Sequence, residues 1–189
     1  MCTLYKIKPS RAEIAGLFSA RLPPDLPETA QELYPKRLAP VIRRDAGGLL
    51  LDAMRWGFPP PASARAPVVN IRNLASPFWR TALAKADRRC LVPASEFCEY
   101  EGPPGAKAKR WFRCTDQPVF AFAGLWRPTP DGAVFAFLTC EPNPLVVPIH
   151  PKAMPVILES QDHLRWLDGD SATAAALAQP YPSQLMAVD

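Results

Sequence analysis

The sequence predicts an α+β fold with a largely antiparallel sheet and flanking helices, as one domain over residues 1–189. Short β-branched and aromatic runs outnumber the stretches with helical spacing. The two kinds of segment do not alternate, as a parallel α/β sheet would require. A chain of 189 residues with 48% hydrophobic and 21% charged positions also carries enough apolar surface for a substantial core, which excludes intrinsic disorder.

Taken in order, Ser10 is placed to cap a first helix. Glu13, three residues on, completes a capping box, and Ile14, Leu17 and Phe18 line one face. Residues 22–40 hold five prolines and little periodicity, so they read as an ordered surface loop. Residues 49–56 and 68–71 read as strands. Ser76-Pro77 marks a helix start, a cap followed by proline at the first helical position, and that helix runs to about Ala86. Further strands follow at 90–92, 97–100, 110–114, 119–126 and 133–139, with turns at 102–105 and 128–132. Residues 160–167 and 171–178 read as closing helices.

The net charge of +4 permits a polyanionic partner without demanding one. Five cysteines, an odd number with no C-x-x-C pair, stand beside two histidines, which makes a zinc cage or a disulfide framework a poor reading. No apolar run approaches the roughly 18 residues of a membrane span, and Met1 to Lys8 lacks the apolar stretch of a secretory signal. The expectation is a soluble, cytoplasmic, monomeric protein.

Cys2 is the most informative residue. Initiator methionine is normally removed when the second residue is small. Removal leaves a free α-amine and a thiol on adjacent carbons, which no internal cysteine offers. The α-amine has a reference pKa of about 7.7–8.0, so a useful neutral fraction exists near neutral pH. A neutral amine attacks an aldehyde to form a Schiff base, and the thiol then closes a thiazolidine ring. The thiol is alternatively a nucleophile toward an acyl carbon. The plain reading makes Cys2 the first residue of an edge strand.

His150, in Ile149-His150-Pro151, sits on a proline-stiffened loop and suits acid or base work, or a satisfied core position. His163 falls on the polar side of a terminal helix and reads as solvated. Alternation places Phe97, Glu99 and Glu101 on one face of a strand. A carboxylate there has its pKa raised by desolvation, finds a partner, or lies exposed on an edge. Asn70 closes the run Pro67-Val68-Val69 and either caps a turn or orients a reacting group. Basic and aromatic residues mix in Lys107 to Arg113, in Arg88-Arg89 and, more loosely, among Lys36, Arg37, Arg43 and Arg44. That mixture suits a single-stranded nucleic acid or a solvated hairpin.

The ordered segments resemble the SRAP family, the SOS-response-associated peptidases or abasic-site-processing proteins. Those segments are Met1-Cys2; Arg37-Leu38-Ala39-Pro40; Arg55-Trp56-Gly57; Asn70-Ile71-Arg72-Asn73; Arg89 to Ala94 running into Phe97-Cys98-Glu99; Phe122 to Trp126; Thr139 to Asn143; and Ile149 to Pro155. The resemblance implies an α+β fold with a strand-rich, barrel-like core and no metal or organic cofactor. It implies covalent capture of abasic sites in single-stranded DNA through Cys2, as a thiazolidine with the ring-opened sugar, and a peptidase activity at least in exposing that cysteine. Carried over by position, Asn70 and Glu99 support Cys2, and His150 protonates the sugar oxygen. Arg72 contacts the DNA backbone, with Trp56, Arg37 and Arg89 joining it on the DNA side. Bound to DNA, the protein would associate with the nucleoid.

The chain departs from the family pattern in three places. Thr3-Leu4 stands where many members carry Gly-Arg, so an arginine contact to phosphate is absent there. Arg37-Leu38-Ala39-Pro40 stands for Asn-Val-Ala-Pro, and Phe58-Pro59-Pro60-Pro61 replaces DNA-wedging tryptophans. Two other functions compete with abasic-site capture: an N-terminal-nucleophile cysteine hydrolase, and a noncatalytic single-strand binding module.

Overall fold

A computed structural model describes residues 2–60 and 65–189. Along the chain run β1 (Tyr5–Lys6), α1 (Arg11–Leu17), β2 (Glu32–Leu33), β3 (Leu38–Asp45), β4 (Gly48–Trp56) and β5 (Asn70–Ile71). Next come α2 (Pro77–Leu83), β6 (Arg89–Ala94), β7 (Glu96–Glu101), β8 (Ala108–Cys114), β9 (Phe120–Arg127) and β10 (Val134–Cys140). The chain ends with β11 (Met154–Pro155), β12 (Ile157–Leu158), α3 (His163–Asp168), α4 (Ser171–Ala176) and β13 (Met186–Val188).

β3 pairs antiparallel with β4 along its whole length and with β6 at Ile42 and Arg43. β6 pairs with β9, and β9 with β10. β10 then runs parallel to β4, with Val134 opposite Arg55 and Phe135 opposite Trp56. The sheet therefore returns to its own first edge and closes as a barrel, which removes the exposed strand edges an open sheet would leave. Beyond Trp56 the chain leaves the barrel wall and comes back as β5, still beside β10, with Asn70 opposite Phe137.

A second sheet, in the order β13-β8-β7-β1-β2, lies against the barrel. Tyr5 joins the two, because its ring meets Trp56, Phe122 and Phe137 edge-on at 5.1, 5.7 and 6.1 Å. Phe97 stacks on Phe112 at 5.0 Å and meets Phe122 edge-on. Each such pair contributes about 0.5–1.5 kcal/mol beyond the area it buries.

The first capping box forms as the sequence indicates: Ser10 Oγ accepts from Glu13 N, and the Glu13 carboxylate accepts from Ser10 N at 2.8 Å. Leu17 is 63% exposed and does not line the buried face, which Ile14, Ala15 and Phe18 make instead. α2 starts at Pro77 without a side-chain bond from Ser76 and ends at Leu83, followed by a separate 3-10 turn at Ala86–Arg88. The proline-rich stretch 22–40 holds β2 and the start of β3 as well as loop.

Gly124 in β9 is a point of close approach between barrel strands. A Cβ added there would lie 2.7 Å from Cys90 Sγ and 2.9 Å from Val92 Cγ2, both on β6. Gly124→Ala is therefore expected to cost about 1–3 kcal/mol by overpacking. Urea unfolding checks this, with Gly16→Ala, whose added Cβ meets nothing within 4 Å, as the comparison.

Candidate functional site

Cys2 stands at the entrance to β1 and is 1% exposed. It is buried next to a strand paired on both sides, since β1 lies between β2 and β7, so the edge-strand reading does not hold. The backbone of β1 extends past its ladder, with Leu4 O accepting from Cys98 N at 2.9 Å. The same carbonyl accepts the Cys2 thiol proton at an S···O distance of 3.4 Å.

Three side chains converge on this point. β5 presents Asn70, whose Nδ2 donates to Cys2 O at 2.8 Å. Asn70 Oδ1 is buried with no hydrogen-bond partner among the described residues. β7 presents Glu99, 2% exposed and facing inward with Phe97. The turn between β10 and β11 presents His150, whose Nε2 lies 3.9 Å from Glu99 Oε2. His150 Nδ1 lies 2.8 Å from Ala153 O, which assigns Nδ1–H as the donor and turns Nε2 toward the carboxyl.

The electrostatics follow from burial. Desolvation, then the Glu99 charge, push the Cys2 thiol well above the usual thiol range, so it rests protonated. Desolvation raises the Glu99 carboxyl to about 7 and lowers the His150 imidazole. Both shifts disfavour the charged forms of the two side chains.

Asn143 went unassigned in the sequence, although Asn143-Pro144 after a strand is a turn signal. Its Oδ1 accepts from Leu145 N and Val146 N at 3.1 and 3.0 Å. Its Nδ2 donates to Tyr181 O at 2.7 Å. The turn so fixed carries His150, whose N donates to Val146 O. Thr139 Oγ1 donates to Ile71 O and steadies β5 beside Asn70.

The residues expected on the DNA side divide. Arg37 is exposed. Arg72 is exposed at the end of β5 and is tied down by the chain itself, donating to Cys140 O at 2.5 Å and to the Glu141 carboxylate. Trp56 must be withdrawn as a DNA contact: it is fully buried, stacks on Phe137 at 5.2 Å and donates Nε1 to Val69 O. Arg89 must be withdrawn as well, being 1% exposed. Its guanidinium closes two helix ends, donating to Leu83 O at 2.9 Å and to Trp166 O and Gly169 O at 2.9 and 2.5 Å.

His163 is half-buried rather than on a solvated face. Its ring stacks on Phe18 at 5.4 Å and its Nε2 is buried without a partner among the described residues. Much of the basic hairpin is paired internally, Arg110 with Glu101 and Arg113 with Asp189. All five cysteines are buried and free of disulfides. No cluster of metal-ligating side chains occurs among the described residues, and no helix there is long and apolar enough to cross a membrane. Met1 and Pro61, which entered the sequence reading, lie outside the described residues.

Fold and site together define an α+β barrel protein with a cysteine-centred cluster of buried polar side chains at the seam between barrel and outer sheet. The chain belongs to the SOS response associated peptidase (SRAP) family, whose sequence model matches residues 1–189. The fold is similar to a Bordetella bronchiseptica protein, with a TM-score of 0.83 at 24% identity, covering 99% of this chain and 98% of that one. It is also similar to a Bacteroides thetaiotaomicron protein, with a TM-score of 0.82 at 19% identity, covering 99% and 90%. A phage-related B. bronchiseptica protein gives 0.77 at 19% identity, covering 100% and 93%. No functionally curated protein matches the chain.

The raised Glu99 carboxyl carries a stability consequence. Its folded pKa of about 7 lies above the unfolded value of about 4.3, so the fold favours the neutral form. That contribution is complete below about pH 4 and is lost as pH rises through 7. Glu99→Gln, which stays neutral throughout, should match the wild type near pH 4. At pH 8 it should exceed the wild type by up to about 4 kcal/mol. Urea midpoints at the two pH values check this, and a gap independent of pH would contradict it.

Proposed function

We propose that the protein, once Met1 is removed, captures abasic sites in single-stranded DNA as a thiazolidine on Cys2, protecting the strand in a DNA-damage response. The observation that carries this reading is the junction at Cys2. An amide holds its carbonyl at 2.8 Å, while a carboxyl beside it lies 3.9 Å from an imidazole.

The chemistry can be followed by atoms. In the closed sugar, the C1′ hydroxyl gives its proton to the basic member of the Glu99–His150 pair. The C1′–O4′ bond breaks, and O4′ takes a proton from the acidic member. The neutral Cys2 amine adds to the aldehyde carbon, and loss of one water gives the imine. Sγ then adds to that carbon as the thiol proton passes to nitrogen, and the ring closes. Capturing C1′ removes the aldehyde whose β-elimination would cut the strand. Asn70 orients the reacting residue through its carbonyl, and its open Oδ1 suits an N–H of the freed amine.

The raised thiol favours this order of events. A cysteine hydrolase acts through a thiolate lowered by a cationic neighbour, whereas burial and Glu99 hold this thiol protonated. Amine attack first and sulfur second needs no thiolate at rest. A peptidase role is retained for exposing the cysteine.

Denaturing electrophoresis after incubation with single-stranded DNA bearing one abasic site tests the proposal. A shifted band is expected from protein shown by intact mass to lack Met1, and it should vanish in Cys2→Ala and in Met-retaining protein. No band from the processed protein overturns the proposal. His150→Ala should slow adduct formation by about 10²-fold, the usual scale of general acid–base assistance, with DNA binding nearly unchanged. The adduct rate should rise with pH as the α-amine loses its proton near 7.7–8.0 and fall as the Glu99 carboxyl loses its proton above about 7. The product is a bell whose descending limb disappears in Glu99→Gln.

A further inference from the structure

A cleft lies away from Cys2. It has a volume of about 310 Å³ and is lined by Phe58, Phe78, Lys85, Arg88, Trp126 and Arg127, between α2 and the end of β9. Among the described residues three cations and no carboxylate line it. Phe78 is 42% exposed. The Arg127 guanidinium lies 5.2 Å from the Phe58 ring centre and 5.8 Å from that of Phe78. Arg88 lies 5.2 Å from the Trp126 ring centre. Arg127 Nε and Trp126 Nε1 are both buried with no hydrogen-bond partner among the described residues. Arg88 lies 3.8 Å from the Asp87 carboxylate, which does not line the cleft; a lining of three cations suits an anion, and the flat rings beside them suit a planar group.

The cleft and the basic edge that holds Arg37 lie along one row of the barrel. Leu38, Arg55, Val134 and Arg127 form one transverse row across β3, β4, β10 and β9. Lys36 and Arg37 precede that row, and both are exposed, as is Arg55. Three strand spacings of about 4.8 Å place the Arg127 backbone about 14 Å from that end. Along the barrel, Gly124 and Phe137 share a row with Asn70, and Arg127 lies three residues further on, about 10 Å away.

We propose that this cleft binds one nucleotide unit of a single strand, its base against Phe78 and its phosphate on Arg127, Arg88 and Lys85. On the DNA-capture reading, from which it extends, the unit belongs to the strand flanking the lesion. Base stacking on an aromatic side chain with phosphate neutralisation is tolerant of sequence, as a lesion-directed protein requires.

The test uses processed protein and undamaged single-stranded oligonucleotides of about 4 and about 15 nucleotides, read by fluorescence anisotropy at two salt concentrations. Arg127→Gln and the surface variants Phe78→Ala and Lys85→Glu are expected to weaken binding of the long strand about tenfold and to leave the short one unchanged. Each cation removed should lower the salt slope by about 0.7. Adduct formation with a short abasic strand should keep its wild-type rate in the Phe78 and Lys85 variants.

Calorimetric titration with deoxyadenosine monophosphate separates the two sources of the ligand. Saturable binding lost in Lys85→Glu, without any dependence on strand length, keeps the nucleotide site and makes the free nucleotide its occupant. Unchanged length dependence together with no mononucleotide binding overturns the proposal, as does stronger competition by a polyglutamate peptide than by the oligonucleotide. Should the wild type form no adduct at all, the capture reading falls, while the length dependence still reports on the cleft.

Discussion

Backbone pairing along β10 is the constraint on which the rest depends. Every residue from Val134 to Cys140 is buried, and the strand bonds to β4 and β5 on one side and to β9 and β11 on the other. Its parallel contact with β4 closes the barrel. Its contact with β5 fixes Asn70, and its C-terminal end launches the Asn143-organised turn that carries His150. The outer sheet adds Cys2 ahead of β1 and Glu99 on β7. A shift of one residue at β10 would move Asn70 to the other face and dissolve the junction.

The site is built from groups that burial penalises. A carboxyl raised to about 7, a lowered imidazole, a raised thiol and an amide oxygen without a partner among the described residues all sit within it. None of these strengthens the fold by itself, and the aromatic seam of Tyr5, Trp56, Phe122 and Phe137 offsets them. Local disagreement with the rules of stable packing, surrounded by close agreement elsewhere, is the pattern expected of a functional site. On the proposed capture chemistry, a protonated thiol and a carboxyl near neutrality would reserve the first attack for nitrogen.

Much of the fold was legible because strong local signals recorded it. The Ser10–Glu13 capping box, Pro77 at a helix start and the apolar runs of β9 and β10 each agree with their surroundings. β3 was not legible, because Pro40 interrupts its pattern and Arg43 and Arg44 sit in a strand whose Ala39 to Ile42 are buried on both faces. Leu17 misled through spacing alone, since the helix is short and its neighbour Phe18 takes the inward position. At the site, Cys2, Asn70, Glu99 and His150 were nameable from residue chemistry and family resemblance, but their convergence depends on pairings between distant strands that periodicity does not encode. Trp56 and Arg89 show the reverse. Sequence offers an aromatic ring and a guanidinium, and only burial reveals that one is core and the other a helix clasp.

The most direct test concerns the bonds made at C1′. An abasic strand labelled with ¹³C at C1′, reacted with processed protein and digested to the Cys2 peptide, reports the atoms attached to that carbon by NMR and fragmentation mass spectrometry. The account predicts a saturated C1′ bonded to both the α-nitrogen and Sγ of Cys2. A carbon bonded to sulfur alone, or linked to a lysine, would contradict it.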